Sequence, residues 1–187
     1  MTKAQLRRVA KFILDREARR DSRGRLAVYA LPAGDGGGTF EVGGINDRYD
    51  HAIAHELRKM IKEGKHAEAE ERALAYYIEN TNGVAGWSEV PAIEAFLRDA
   101  AFNRGLRGSA RILQRALGVT DDGAVGPKTR RALRAAEQNP IQLIESLHAA
   151  CRSYERVVAP PVGARAKFWN GLVNRWQVRA DFALTLV

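Results

Sequence analysis

Apolar residues recur at helical spacing along most of this chain, and the recurrences break at glycine, proline or asparagine. Leu6, Val9, Ala10, Ile13 and Leu14 predict a first helix ending near Glu17 or Arg19, with Thr2 and Gln5 at capping-box spacing before it and the turn chemistry of Asp21-Ser-Arg-Gly24 after it. The pattern then changes. Arg25-Leu-Ala-Val-Tyr-Ala-Leu31 and Thr39-Phe-Glu-Val42 are strand-compatible and flank the glycine-rich residues 34–38, so they predict two short strands. Further helices are predicted at about 50–63, 67–80, 91–103, 109–117, 127–137 and 140–157, with a terminal helix carrying Phe168, Trp169, Leu172, Val173 and Trp176. Pro127 and Pro140 each suit a first helical position, with Asn139 as the cap before the second. The pattern gives a mainly α fold with one small β-hairpin.

Composition narrows the class more than the function. With 187 residues, 45% hydrophobic and 28% charged, the chain can bury one substantial core and is not disordered in character. A lone cysteine, Cys151, excludes an internal disulfide framework and a cysteine-rich zinc site, and it sits in an apolar-periodic segment that suits packing. The net charge of +8 points to an anionic partner. Basic residues form no dense run, and aromatics at 7% do not interleave with arginine in a base-stacking pattern, so nucleic acid is not the expected partner. Arg7, Arg8 and Lys11 interrupt the first apolar segment, leaving no signal-peptide core, and nothing approaches a transmembrane span.

Glu17 is the leading catalytic candidate. It stands at the predicted end of a helix, where partial negative charge disfavours an ionised carboxylate and suits a proton donor, just before the hairpin. The competing reading is a surface glutamate paired with Arg16, Arg19 or Arg20. Asp35, Thr39 and Glu41 form a second cluster in the glycine-rich connection, where a carboxylate and a hydroxyl could hold a water; the alternative is a turn with Asp35 as its former. His51 and His55 lie one turn apart, but the His-Glu-x-x-His order and a third ligand are missing, so a solvated helix face is expected and no metal. Trp87, Trp169 and Trp176 could stack sugars, yet each falls in an apolar-periodic segment and core packing is expected for at least two.

Several motifs then line up in order: Arg16-Glu17; Gly24-Arg-Leu-x-Val-Tyr29; Gly34-Asp-Gly-Gly-Gly-Thr-Phe-Glu-Val42; Gly44-Ile-Asn-Asp-Arg-Tyr49; Ala100-Ala-Phe-Asn-Arg-Gly105; Leu113-Gln-Arg-Ala-Leu-Gly118; Asp122-Gly-x-x-Gly-Pro-x-Thr129; and Trp169-x-Gly-Leu-x-Asn-Arg-Trp176. Nearly the whole chain resembles glycoside hydrolase family 108, the N-acetylmuramidases of phage endolysins and secretion activator proteins, with their C-terminal predicted peptidoglycan domain. The resemblance implies a lysozyme-like helical domain, with a catalytic part at 1–103 and a helical peptidoglycan part at 104–187 packed on it as one unit. It implies cleavage of the β-1,4 bond after N-acetylmuramic acid, with Glu17 as acid and either Asp35 or Glu41, together with Thr39, placing water or stabilising charge. Tyr29 and Asn103 are the expected substrate contacts, and no cofactor is expected. Ala18-Arg19 follows Glu17 where that family has Gly-Gly. A lytic transglycosylase using Glu17 alone and a non-catalytic peptidoglycan-binding protein are the other readings. The partners implied are peptidoglycan and the anionic cell envelope, met by a monomer made in the cytoplasm and brought to the wall by release or by another protein.

Overall fold

The computed structural model describes residues 1–32, 37–160, 162–163, 166 and 169–187. Its contacts separate into two units: Leu6–Asn80, and Met1–Gln5 together with Thr81–Val187. The described residues are mainly α, in the lysozyme-like manner expected, with one small antiparallel sheet.

The Leu6–Asn80 unit contains most of α1 (Lys3–Glu17), then β1 (Val28–Ala30), β2 (Phe40–Val42), β3 (Ile45–Asn46), α2 (His51–Lys62) and α3 (His66–Asn80). The predicted capping box forms: the Gln5 amide donates to Thr2 Oγ1 at 3.2 Å and the Thr2 amide to Gln5 Oε1 at 2.9 Å. Val9, Ala10, Ile13 and Leu14 are buried, as their spacing requires. Sequence reasoning expected two strands, and the structure has three, in the order β1-β2-β3. Gly43 and Gly44 take φ of +59° and +75°, the left-handed pair that closes a two-residue hairpin, so this dipeptide joins β2 to β3 and does not end the sheet. Phe40, Val42 and Ile45 are buried with Leu26, Ile53, Leu57 and Leu74, which fixes the register through the buried face.

The second unit is built from α4 (Pro91–Ala116), α5 (Pro127–Ala136), α6 (Pro140–Val158) and α7 (Trp169–Leu184), with a 3₁₀ turn at Asn82–Val84. The helices expected at 91–103 and 109–117 are two arms of α4, broken at Gly105, whose φ of 68° and ψ of 170° are far from helical. Twelve residues of straight helix span about 18 Å, yet Ser109 Oγ donates to the Leu97 carbonyl at 3.0 Å. The two arms are therefore folded against each other, and Asn103, the boundary suggested by the motifs, lies within α4. Phe96, Leu97, Ile112, Leu113, Leu133, Leu147 and Trp176 form one buried cluster. Asp99 lies among them at 1% exposure, which a charge tolerates only when paired. Arg179, 3% exposed, donates to Asp99 Oδ2, and Arg175 donates to Oδ1 at 3.0 Å. Burial opposes ionisation of Asp99, but the two guanidiniums prevail and hold its carboxyl below the usual range.

Candidate functional site

Glu17 is the last residue of α1 and is partly exposed. Its stem is fixed by the turn after β2. A Cβ added to Gly44 would stand 2.6 Å from Glu17 Cβ, 3.2 Å from Cγ and 3.3 Å from the Tyr77 hydroxyl. Tyr77, fully buried on α3, donates that hydroxyl to the Gly43 carbonyl. The close backbone approach at Gly44 and the Tyr77 bond thus lock the β2–β3 turn against the helix end that carries the carboxyl.

Beyond Glu17 the chain pairs with itself at once. The Ala27 amide donates to the Arg19 carbonyl at 3.0 Å, and Arg20 bridges Leu26. The Arg19 guanidinium lies over the Tyr29 ring, 4.9 Å from its centroid, a cation–π arrangement. Tyr29 is paired with Glu41 across β1 and β2, and Glu41 with Asn46 across β2 and β3, so these three side chains share one face of the sheet. Phe40 and Val42 take the other face and are buried.

At the far end of β2, Thr39 is bound to Asp47. Its hydroxyl donates to Asp47 Oδ2, its amide to Oδ1 at 2.8 Å, and the Phe40 amide to the same oxygen at 3.3 Å. The Thr39 hydroxyl bond, reinforced by the two amides, holds the Asp47 carboxyl below its usual range. A side chain at Gly38 would collide with Asn46 and Asp47, and one at Gly37 with Arg48. Asp47 is therefore the anchor of the loop end. The sequence signal for it was the Asn46-Asp47-Arg48 string after a Gly-Gly turn, which brings Asp47 back beside Thr39. Asp35 lies outside the described residues.

Glu17, Tyr29, Thr39 and Glu41 thus belong to the Leu6–Asn80 unit, with Glu17 at one end of β2, Thr39 at the other, and Tyr29 and Glu41 between them. Asn103 belongs to α4 in the other unit, where its side-chain amide donates to the Asp99 carbonyl at 2.7 Å, next to the Gly105 break. His51 and His55 stack with centroids 4.2 Å apart, and His55 meets the edge of Phe40 at 5.1 Å. Among the described residues no group of three or more His, Cys, Asp or Glu is placed to hold a metal ion. Trp176 is buried and meets Trp169 edge-on at 5.5 Å, while Trp87 packs against the same core.

The Leu113–Thr129 motif forms a clasp. Gln114, 1% exposed, places Nε2 at 2.7 Å from Asp122 Oδ1, 2.9 Å from the Ala124 carbonyl and 3.2 Å from Thr129 Oγ1, and its Oε1 accepts from the Gly123 amide at 2.8 Å. The motif's polar residues satisfy one another, which organises the passage from α4 into α5. No helix among the described residues is long and apolar enough to cross a membrane.

Comparison with known proteins adds two likenesses. Residues 108–177 match the family described as "Predicted Peptidoglycan domain". The fold is similar to that in "Structure of Brucella abortus SagA", with 22% identity, a TM-score of 0.65, and coverage of 99% of this chain and 97% of that one. No match is found among curated proteins.

Proposed function

We propose that this chain is a peptidoglycan hydrolase that cleaves the β-1,4 bond after N-acetylmuramic acid, with Glu17 as the general acid. The observation that carries this reading is the seating of Glu17: a carboxyl at a helix end, its stem pinned on the Gly44 turn, in a chain whose residues 108–177 match a peptidoglycan family. Glu17 donates its carboxyl proton to the leaving glycosidic oxygen as the sugar–oxygen bond breaks, and water completes the exchange. Of the other candidates, the position of Glu41 supports a role in stabilising the positive sugar or directing water. Thr39 and Val42 are separated by roughly 10 Å of extended strand, and the Thr39 hydroxyl is already given to Asp47, so Thr39 supports the loop and Asp47. The resemblance assigns Asp35 to the same task as Glu41.

One observation favours a second reading, binding without cleavage. Arg19 stands where the resembling family has glycine, and its guanidinium covers the ring of Tyr29, the expected sugar contact. Release of soluble fragments from dye-labelled purified peptidoglycan decides between the two. Fragments with new reducing ends support hydrolysis, and anhydro ends identify a transglycosylase. Binding without release overturns catalysis.

A further inference from the structure

The positive charge is unevenly divided. Leu6–Asn80 contains fourteen Lys and Arg against thirteen Asp and Glu, a net +1, while Met1–Gln5 with Thr81–Val187 contains sixteen against nine, a net +7. Nearly all of the excess therefore belongs to the unit without Glu17. Many of its arginines are already committed: Arg104 holds Glu155, Arg115 holds Asp121, and Arg179 holds Asp99.

Arg107 and Arg111 differ. They lie one turn apart on the second arm of α4 and converge on the turn at Asp122 and Gly123. A Cβ on Gly123 would stand 2.6 Å from Arg107 Cγ, 3.1 Å from Arg107 Nε and 3.3 Å from Arg111 Nε. The Nε of Arg111 is shut off from solvent without a hydrogen-bond partner. The acid beside both arginines is Asp122, and its Oδ1 is taken by Gln114 and the Ala124 amide. Asp121, the adjacent acid, is held by Arg115 at 2.6 Å. Two guanidiniums are thus gathered over this turn beside Asp122, with Arg107 exposed and Arg111 partly so, and together with Arg115 they outnumber Asp121 and Asp122 by one charge. Paired planar forks of this kind suit carboxylates, which can accept two parallel hydrogen bonds.

The geometry points to Arg107 and Arg111 as a docking site for the carboxylates of a peptide-bearing glycan, on the unit that does not contain Glu17. This rests on peptidoglycan being the substrate proposed above.

The test measures binding of the full chain to purified sacculi on ice, at low salt, with native sacculi and with sacculi whose carboxyls have been amidated. Arg107→Gln/Arg111→Gln is compared with Arg152→Gln/Arg156→Gln, which removes the same charge from exposed positions on α6. Circular dichroism and thermal melting check that both variants fold. The Arg107/Arg111 variant should lose about tenfold in affinity, the α6 variant less than about twofold, and amidation should bring the unmodified chain down to the first variant's level. Equal losses in the two variants, or binding indifferent to amidation, overturn the site and leave the peptidoglycan reading standing. Failure of the unmodified chain to bind sacculi at all overturns both.

Discussion

Gly44 and Gly24 share a φ of +75°, but only one of them touches the candidate acid, and this allows backbone strain to be separated from collision. Alanine at either position must adopt the left-handed conformation, costing about 1–2 kcal/mol. At Gly24 a new Cβ meets nothing within 4 Å, so that is the whole expected loss. At Gly44 the Cβ would stand 2.6 Å from Glu17 Cβ, well inside the contact distance of about 3.5–4.0 Å. Glu17 Cβ is fixed by the backbone of α1, so relief requires the helix end or the turn to move, which adds about 1–3 kcal/mol. Gly44→Ala should therefore be less stable than Gly24→Ala by about 1–3 kcal/mol in urea unfolding. The same displacement moves the carboxyl, and a shift near 1 Å can lower catalysis by about a hundredfold. Release of dye from labelled peptidoglycan, measured well below the unfolding midpoint, should fall for Gly44→Ala and stay near normal for Gly24→Ala. Equal stabilities, or full activity in Gly44→Ala, would refute the claim that Gly44 positions Glu17.

Asp99→Asn should cost about 3–5 kcal/mol in unfolding free energy, because it leaves the buried Arg179 guanidinium without its counter-charge. The folded state holds the Asp99 carboxyl below its usual range, so the stability it contributes is present above about pH 4 and is lost as pH falls through the folded-state value. The acid limb of a stability–pH curve should flatten in Asp99→Asn, and an unchanged limb would contradict the pairing. Burial pushes the Cys151 thiol up to about 11, so it should resist a thiol reagent at neutral pH in the native protein and react on unfolding; rapid native labelling would count against its burial. A chain ending at Asn103 loses Ile112, Leu113, Leu147 and Trp176 from the cluster around Phe96 and Leu97, so amides in 91–103 should exchange with solvent rapidly, whereas slow exchange there would show that the first arm of α4 holds without the second.

The helices were legible because their apolar spacing and their punctuation agreed. The capping box at Thr2 and Gln5, Pro127 and Pro140 at helix starts, and the buried face of α1 all follow from local rules. The third strand lies beyond the reach of the pattern because it is only two residues long, Ile45 and Asn46, and depends on the left-handed turn at Gly43 and Gly44. The fold-back of α4 depends on one backbone conformation at Gly105, and helical periodicity carries no record of it. The pairing of Asp99 with Arg179 spans 80 residues and joins two helices, so no local pattern contains it. At the candidate site, Glu17 was legible as a helix-end acid before a hairpin. The Gly44 contact that seats it, and the capture of Thr39 by Asp47, come from strands folding back and from nothing adjacent in sequence.

In the proposed reaction Glu17 supplies the proton that breaks the glycan. The most direct measurement is the rate at which new sugar ends appear from purified peptidoglycan, for the unmodified chain and for Glu17→Gln, with sacculus binding recorded in parallel. Glutamine keeps the shape of the side chain on the Gly44 turn but has no acid proton to give. Glu17→Gln should be slower by about two to four orders of magnitude with fold and binding intact. A Glu17→Gln protein that cleaves at a rate close to that of the unmodified chain would contradict it.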